Sequence, residues 1–184
     1  MTGWAWGVLV AGASAGVLVW IYWAELIGAG WSPTPSVSVQ KMLELAEVGP
    51  SDVVYDLGCG DGRVLVWATR RYGAHTVGIE ADPTRLAWTW LRVRLLRLHP
   101  RPRLIWGNFF HHSVEDATVV CLFLSRSVNL RLEPKLRREL PPGARVVSYW
   151  WTFERWHPER ISSAEHVYLF RVPPHADSQP QPPR

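Results

Sequence analysis

Short apolar runs alternate with segments of helical period along most of this chain. Residues 53–57, 75–80, 103–106, 119–124, 145–151 and 166–172 read as strands. Between them, residues 37–48 set Val39, Met42, Leu43 and Ala46 at helical spacing and stop at Gly49-Pro50. Residues 64–72 and 129–140 read as two further helices. Residues 83–98 read as another, opened by Asp82 as N-cap and by Pro83 in the first turn. Strands alternating with helices predict a parallel α/β sheet covered by helices on both faces. Along residues 84–98, Ala87, Leu91, Leu95 and Leu98 form a stripe expected against the sheet. Leu86, Trp90 and Val93 form a second stripe, beside Arg94 and Arg97.

No residue from 3 to 24 is charged. About 20 apolar residues suffice to cross a bilayer as a helix. Trp4 and Trp6 stand near one end, with Trp20, Tyr22 and Trp23 near the other, as interfacial belts prefer. Residues 1–30 are therefore expected to be a transmembrane anchor. A cleaved signal peptide would need a basic start, and no Lys or Arg precedes Lys41. The excess of Lys and Arg beyond the apolar stretch places the main domain in the cytoplasm, as a single-pass membrane protein. Gly3/Gly7 and Gly12/Gly16 offer a helix-pairing face for a homodimer. Trp31-Ser-Pro-Thr-Pro-Ser36 is a linker or lid, residues 31–172 form the main domain, and the Pro-rich tail 173–184 is expected to be disordered.

The 184 residues are 47% hydrophobic, enough for one packed domain. A net charge of +4 suits an acidic partner or a membrane face better than it argues for nucleic acid. Two cysteines, Cys59 and Cys121, make no disulfide framework and fit a reducing compartment. Six arginines and no acid fall between Arg85 and Arg103, which fits membrane-surface contact or an ordinary solvated face. His111-His112 with Glu115 and Asp116 is the nearest approach to a metal cluster, but adjacent histidines converge poorly on one ion, so no metal is expected.

The chemistry concentrates at Asp56-Leu-Gly58-Cys-Gly60-Asp-Gly62, directly after the first strand. In a parallel sheet, ligands bind at the carboxyl ends of the strands, and bare glycines let a ligand approach the backbone. Glu80 ends the second strand, where a carboxylate accepts ribose hydroxyls. Dinucleotide folds prefer G-x-G-x-x-G with a free helix N-terminus for pyrophosphate. Here the spacing is G-x-G-x-G, and Asp56, Asp61 and Glu80 surround it. Negative charge repels phosphate and suits a sulfonium and an α-amino group, which points to S-adenosylmethionine. Gly107-Asn108 stands at the end of the third strand. By resemblance to class I S-adenosylmethionine-dependent methyltransferases, the candidate cofactor contacts are Asp56, Gly58, Cys59, Gly60, Asp61, Glu80, Asn108 and Phe109, with Asn108 facing the adenine amino group.

This pattern resembles motif I and its partner in class I S-adenosylmethionine-dependent methyltransferases. Pro33-Thr-Pro35…Val39…Met42-Leu-Glu-Leu-Ala46 before it resembles the lead-in of one such family, as do Val128-Asn129…Leu132…Pro134-Lys-Leu136…Glu139-Leu140-Pro-Pro-Gly143 and Trp156-x-Pro158 after the fourth strand. That family holds small bacterial and archaeal enzymes and the lysine methyltransferases of the ATP synthase c subunit and the adenine nucleotide translocase. The resemblance implies a Rossmann-like class I methyltransferase sheet, here preceded by one transmembrane helix. It also implies that Pro33–Ser36 covers the cofactor methyl, with Thr34, Ser36, Trp151 and Trp156 as candidates lining the acceptor site. Two departures bear on that site: no tyrosine precedes Pro33, and Trp151 stands where relatives often carry Phe.

The expected activity is methylation of lysine side chains on membrane or membrane-associated proteins. A lysine must lose its proton before it attacks, which a dry aromatic wall of Tyr149, Trp150, Trp151, Phe153 and Trp156 assists, although each of these rings also suits the core. No general base is identified. A lipid head group or lipophilic small molecule is an alternative acceptor, and a catalytically silent cofactor-binding scaffold is a third reading. The Asp/Asn-Pro-Pro-Tyr run of adenine and glutamine methylation is absent, since Leu124-Ser-Arg-Ser127 stands in its place, which argues against nucleic acid.

Overall fold

A computed structural model describes residues 4–8, 10–12, 14, 16 and 32–174. Residues 1–32 and 33–184 form two compact units. The second unit carries a seven-stranded sheet in the order β3-β2-β1-β4-β5-β7-β6. The strands are β1 Val53–Leu57, β2 His75–Glu80, β3 Arg103–Trp106, β4 Val119–Leu122, β5 Arg145–Tyr149, β6 Arg160–Ser162 and β7 Val167–Arg171. The first five run parallel, and β7 and β6 are added antiparallel. Helix α1 (Ser36–Leu45) precedes β1, while α2 (Arg63–Tyr72), α3 (Pro83–Leu95) and α4 (Arg126–Glu139) follow β1, β2 and β4. Right-handed crossovers put α2 and α3 on one face of the sheet and α4 on the other. The strand order reverses between β1 and β4, so the carboxyl ends of these two strands flank the switch point of the sheet.

The alternating pattern thus translates into the expected architecture. The antiparallel β6 and the short 3₁₀ turn Phe109–His111 lie in stretches with no periodic signal. On α1, Val39, Met42, Leu43 and Ala46 enter a core with Val54, Val119, Val147 and Leu169 from four strands. Helix α1 has no side-chain N-cap, but its carboxyl end is held from the sheet. Arg145 Nη1 donates to the carbonyls of Ala46 at 2.7 Å and Glu47 at 3.2 Å, and Nη2 donates to Asp52. A guanidinium at a helix C-terminus meets orphan carbonyls and the negative end of the helix dipole together.

Two expectations are overturned. No helix among the described residues is long and apolar enough to cross a membrane. Residues 17–31 lie outside the described residues. The transmembrane helix, and the single-pass membrane location inferred from it, are therefore withdrawn. Of the expected pairing face, Gly3 lies outside the described residues, and nothing packs within 4 Å of where a Cβ on Gly7, Gly12 or Gly16 would stand. The tail expected to be disordered also lies outside the described residues from position 175 onward.

Helix α3 differs from its sequence reading in rotation. Thr89 and Val93 are its buried residues, while Ala87, Leu91 and Leu95 face out and Leu98, just beyond the helix, packs with Val66 and Val93.

Because Arg145 joins α1 to the sheet and to the buried Asp52, Arg145→Ala should destabilise the chain by about 2–4 kcal/mol. A lowered denaturant midpoint with an unchanged m-value would register this loss.

Candidate functional site

The turn from β1 into α2 is held by backbone bonds that consume its own amides. The Gly58 and Cys59 N–H groups both donate to the Ile79 carbonyl, at 2.8 and 3.1 Å. The Gly60 N–H donates to Glu80 Oε2 at 2.8 Å, and the Gly62 N–H to the Cys59 carbonyl at 2.8 Å. None of these four donors is left for a phosphate, so the turn is no anion cradle of the dinucleotide type. Gly58, Gly60 and Gly62 all have positive φ, at 84°, 52° and 73°. A Cβ on Gly62 would stand 2.5 Å from the Thr89 methyl of α3, so this glycine answers to helix packing.

Thr89 is fully buried and donates from Oγ1 to the Gly60 carbonyl at 2.7 Å. Glu80 joins the same brace, because its Oε1 accepts from the Asp82 N–H at 3.0 Å while Oε2 holds Gly60. Asp82 in turn caps α3, accepting from Thr84 N–H at 2.8 Å and Arg85 N–H at 3.2 Å. One carboxylate thus ties the turn after β1 to the turn after β2.

Asp56 ends in a different condition. It is buried, and its carboxyl has no hydrogen-bond partner among the described residues. Burial, then the negative charges of Glu80 and Asp61, push it up to about 8 from 3.8, against a smaller opposing effect of Arg63. Burial likewise pushes the Cys59 thiol well above its ordinary value, with Asp56 and Glu80 adding to the effect. An acidic pocket with an unpartnered carboxyl is built for a cation.

Asp61 is already paired. Its carboxylate takes both Nε and Nη2 of Arg63 at 2.9 Å and Nη1 of Arg92 at 3.0 Å. Burial raises its pKa, but the hydrogen bonds and charge of Arg63, with the charge of Arg92, outweigh that and hold it below the ordinary value. Arg63 also donates from Nη1 to the Thr34 carbonyl, so it pins the Pro33–Pro35 segment to the glycine turn. Thr34 is buried there, and Ser36 is exposed at the start of α1.

Asn108 caps the 3₁₀ turn, its side chain accepting from the Phe110 N–H at 3.0 Å. Phe109 is half-buried, its ring 4.9 Å from that of Phe110. His112 lies beneath Gly107, and Asp116 accepts from the Tyr55 hydroxyl at 2.6 Å, so the residues that suggested a metal cluster point to separate tasks.

On the other side of the switch point, Leu124 packs within 3.4 Å of where a Gly58 Cβ would stand, and α4 begins one residue after the cap Ser125. Asn129, fully buried, donates from Nδ2 to Ser148 Oγ and to the Trp151 carbonyl, both at 3.2 Å. Its Oδ1 has no partner among the described residues. Trp150 is held at φ 72° by its N–H donating to the His166 carbonyl at 2.7 Å. This turn leaves Trp150 and Trp151 exposed at the carboxyl end of β5. Trp156 goes elsewhere: it is buried against Phe153 and Phe170, and its indole N–H donates to the Arg171 carbonyl at 3.1 Å. Of the aromatic wall expected from sequence, Phe153 and Trp156 are therefore core.

Thr89, Arg63, Arg92, Asn129 and Ser148 were not among the expected site residues. Arg63 had a signal, since it directly follows the last glycine. The others are brought in by tertiary packing from 27 or more residues beyond Gly62.

Comparison with known proteins converges on one chemistry. The ANTKMT methyltransferase domain family matches residues 56–160. A protein-lysine N-methyltransferase of Saccharolobus islandicus is 38% identical over 78% of this chain and 93% of its own length. The mouse adenine nucleotide translocase lysine N-methyltransferase is 32% identical, covering 90% of this chain and 77% of its own. The crystal structure of an RNA methyltransferase from Salinibacter ruber, in complex with S-adenosyl-L-homocysteine, is 39% identical and superposes with a TM-score of 0.76, covering 80% of this chain and 98% of that one.

Three outcomes are expected of this site. The folded free chain keeps the Asp56 proton up to about pH 8, whereas the unfolded chain loses it near 3.8. A cationic ligand favours the ionised carboxyl, so S-adenosylmethionine binding at pH 7 should release a proton, seen by calorimetry in two buffers and absent in Asp56→Asn. By the same linkage, this group's contribution to stability is full below pH 3.8 and falls as pH rises toward 8, so Asp56→Asn should raise the Tm of the free chain most at and above pH 8. Separately, Gly62→Ala should cost about 2 kcal/mol or more from its left-handed φ and the Thr89 contact. Thr89→Ser in the same chain should recover the contact part, and a double-mutant cycle with no coupling would refute that account.

Proposed function

Since the chain belongs to the ANTKMT methyltransferase domain family, we propose that it transfers methyl from S-adenosylmethionine to lysine side chains of proteins, membrane-associated ones among them. The unpartnered Asp56 carboxyl carries this reading, because a buried acid without a partner suits the positive charge of this cofactor better than any phosphate ligand. The bound cofactor supplies a methyl group on a sulfonium, open to in-line attack by a neutral amine.

Around it, each residue has a physical task. Asp56 faces the α-ammonium end of the cofactor. Glu80 keeps one lone pair on each oxygen for a ribose hydroxyl while its other pairs hold Gly60 and Asp82. Gly58, Cys59 and Gly60 bring bare backbone alongside, and Asn108 and Phe109 face the adenine. Asp61 supports this set through Arg63 and Arg92 rather than by touching the ligand.

The acceptor enters on the β4–β5 side, between Thr34 and Ser36 of the lead-in and the exposed Trp151. Positioning an amine in line with the methyl supplies much of the rate, and excluding water lowers the lysine pKa toward the neutral form. A second reading is an RNA acceptor, favoured by the Salinibacter ruber likeness. Against it stands Leu124-Ser-Arg-Ser127 where amino-methylating enzymes of nucleobases carry their acceptor motif.

Incubating the protein with methyl-labelled S-adenosylmethionine and a host extract tests this directly. Label should enter a protein band that hydrolyses to methyl-lysine, and should vanish with Glu80→Ala and fall at least about 10-fold with Glu80→Gln, which keeps the side-chain volume. Label confined to RNA or to the organic phase would replace the lysine acceptor.

A further inference from the structure

The outward face of α3 is apolar and basic together. Trp88 and Leu95 are 58% and 72% exposed, with Leu91 between them, and Trp106 on the edge strand β3 is 68% exposed. Pro83, Leu86, Ala87, Trp90, Leu104 and Trp106 line an open groove of about 430 Å³ between helix and strand. The surrounding charge is of one sign. Arg94 lies 4.7 Å over the Trp90 ring, Arg97, Arg101 and Arg103 are exposed, and no Asp or Glu occurs from residue 83 to residue 114.

We propose that this face is a peripheral contact surface for an anionic lipid interface. Helix α3 lies in the plane of that interface, with its indoles and leucines at the boundary of head groups and acyl chains and its arginines on lipid phosphates. The contact needs no spanning helix.

Other occupants fit less well. A second copy would set one basic face against another. Residues 1–32 of this chain carry a single charge, Glu25, and cannot neutralise the arginines. RNA stacks on indoles and pairs with arginine, but Leu91 and Leu95 have no ring to stack on, and exposed aliphatic side chains gain most in acyl chains.

Co-sedimentation of the full chain with vesicles tests this without any methyl acceptor, so it stands or falls apart from the transferase reading. The probes are phosphatidylcholine vesicles with and without about one-third phosphatidylglycerol. The chain should partition at least about 10-fold better onto the anionic vesicles, and salt should erase the difference. Residues 1–32 hold no basic residue, so attachment through them is indifferent to lipid charge. Arg94→Glu/Arg97→Glu/Arg101→Glu should remove the anionic preference, about a 100-fold loss, and Trp88→Ser/Leu91→Ser/Leu95→Ser should lower partitioning. Both variants should keep the wild-type cofactor affinity, which reports an intact fold. Equal partitioning of the wild type onto both vesicles, or variants indistinguishable from it, overturns the proposal. Retention of a single-stranded RNA oligonucleotide through the same arginines, without lipid preference, overturns it in favour of RNA.

Discussion

The left-handed turn from Leu57 to Arg63 is the constraint on which the rest of the molecule depends. Three glycines at alternate positions reverse the chain at the end of β1, and four of its amides are spent on Ile79, Glu80 and Cys59. A turn so bonded is rigid, and its rigidity is what lets a buried carboxyl sit beside it without a partner. Asp56 tolerates that position by keeping its proton, and a cationic ligand beside it favours the ionised carboxylate.

The same turn decides how α3 lies. Thr89 must reach the Gly60 carbonyl and pass Gly62, where only hydrogen fits. That contact sets the rotation of the helix about its axis: Thr89 and Val93 turn inward, and the longer stripe through Ala87, Leu91 and Leu95 turns outward. A cofactor site and an exposed apolar face are thus two consequences of one packing contact. Arg92 joins them, since it leaves the arginine row to pair with Asp61.

Electrostatics divides the site along the switch point. On the β1–β2 side the acids are arranged in two states, Asp61 paired with arginines and Asp56 alone. On the β4–β5 side the neutral, buried Asn129 and Ser148 hold the Trp151 carbonyl, with the left-handed Trp150 beside it. A charged cofactor and an amine that must be neutral to react call for these two environments.

Strand-helix alternation, the glycine triplet and the acids at the ends of β1 and β2 were legible from sequence because each is a local pattern: period, turn chemistry, and a residue at a strand terminus. By themselves they determined the sheet and the cofactor, and they marked the turn proposed to hold it. Three things were decided only by tertiary structure. Which stripe of α3 is buried depended on Thr89, a polar residue that a hydrophobic pattern passes over. Whether Asp61 or Asp56 is the free acid depended on where the folded chain sets two arginines, Arg63 close by and Arg92 31 residues from Asp61, both on Asp61. Whether an aromatic residue after β5 is wall or core depended on Phe170 of β7, which takes Phe153 and Trp156 inward and leaves Trp150 and Trp151 at the surface. In each case the choice was between residues of like chemistry, and only contacts made in the folded chain set them apart.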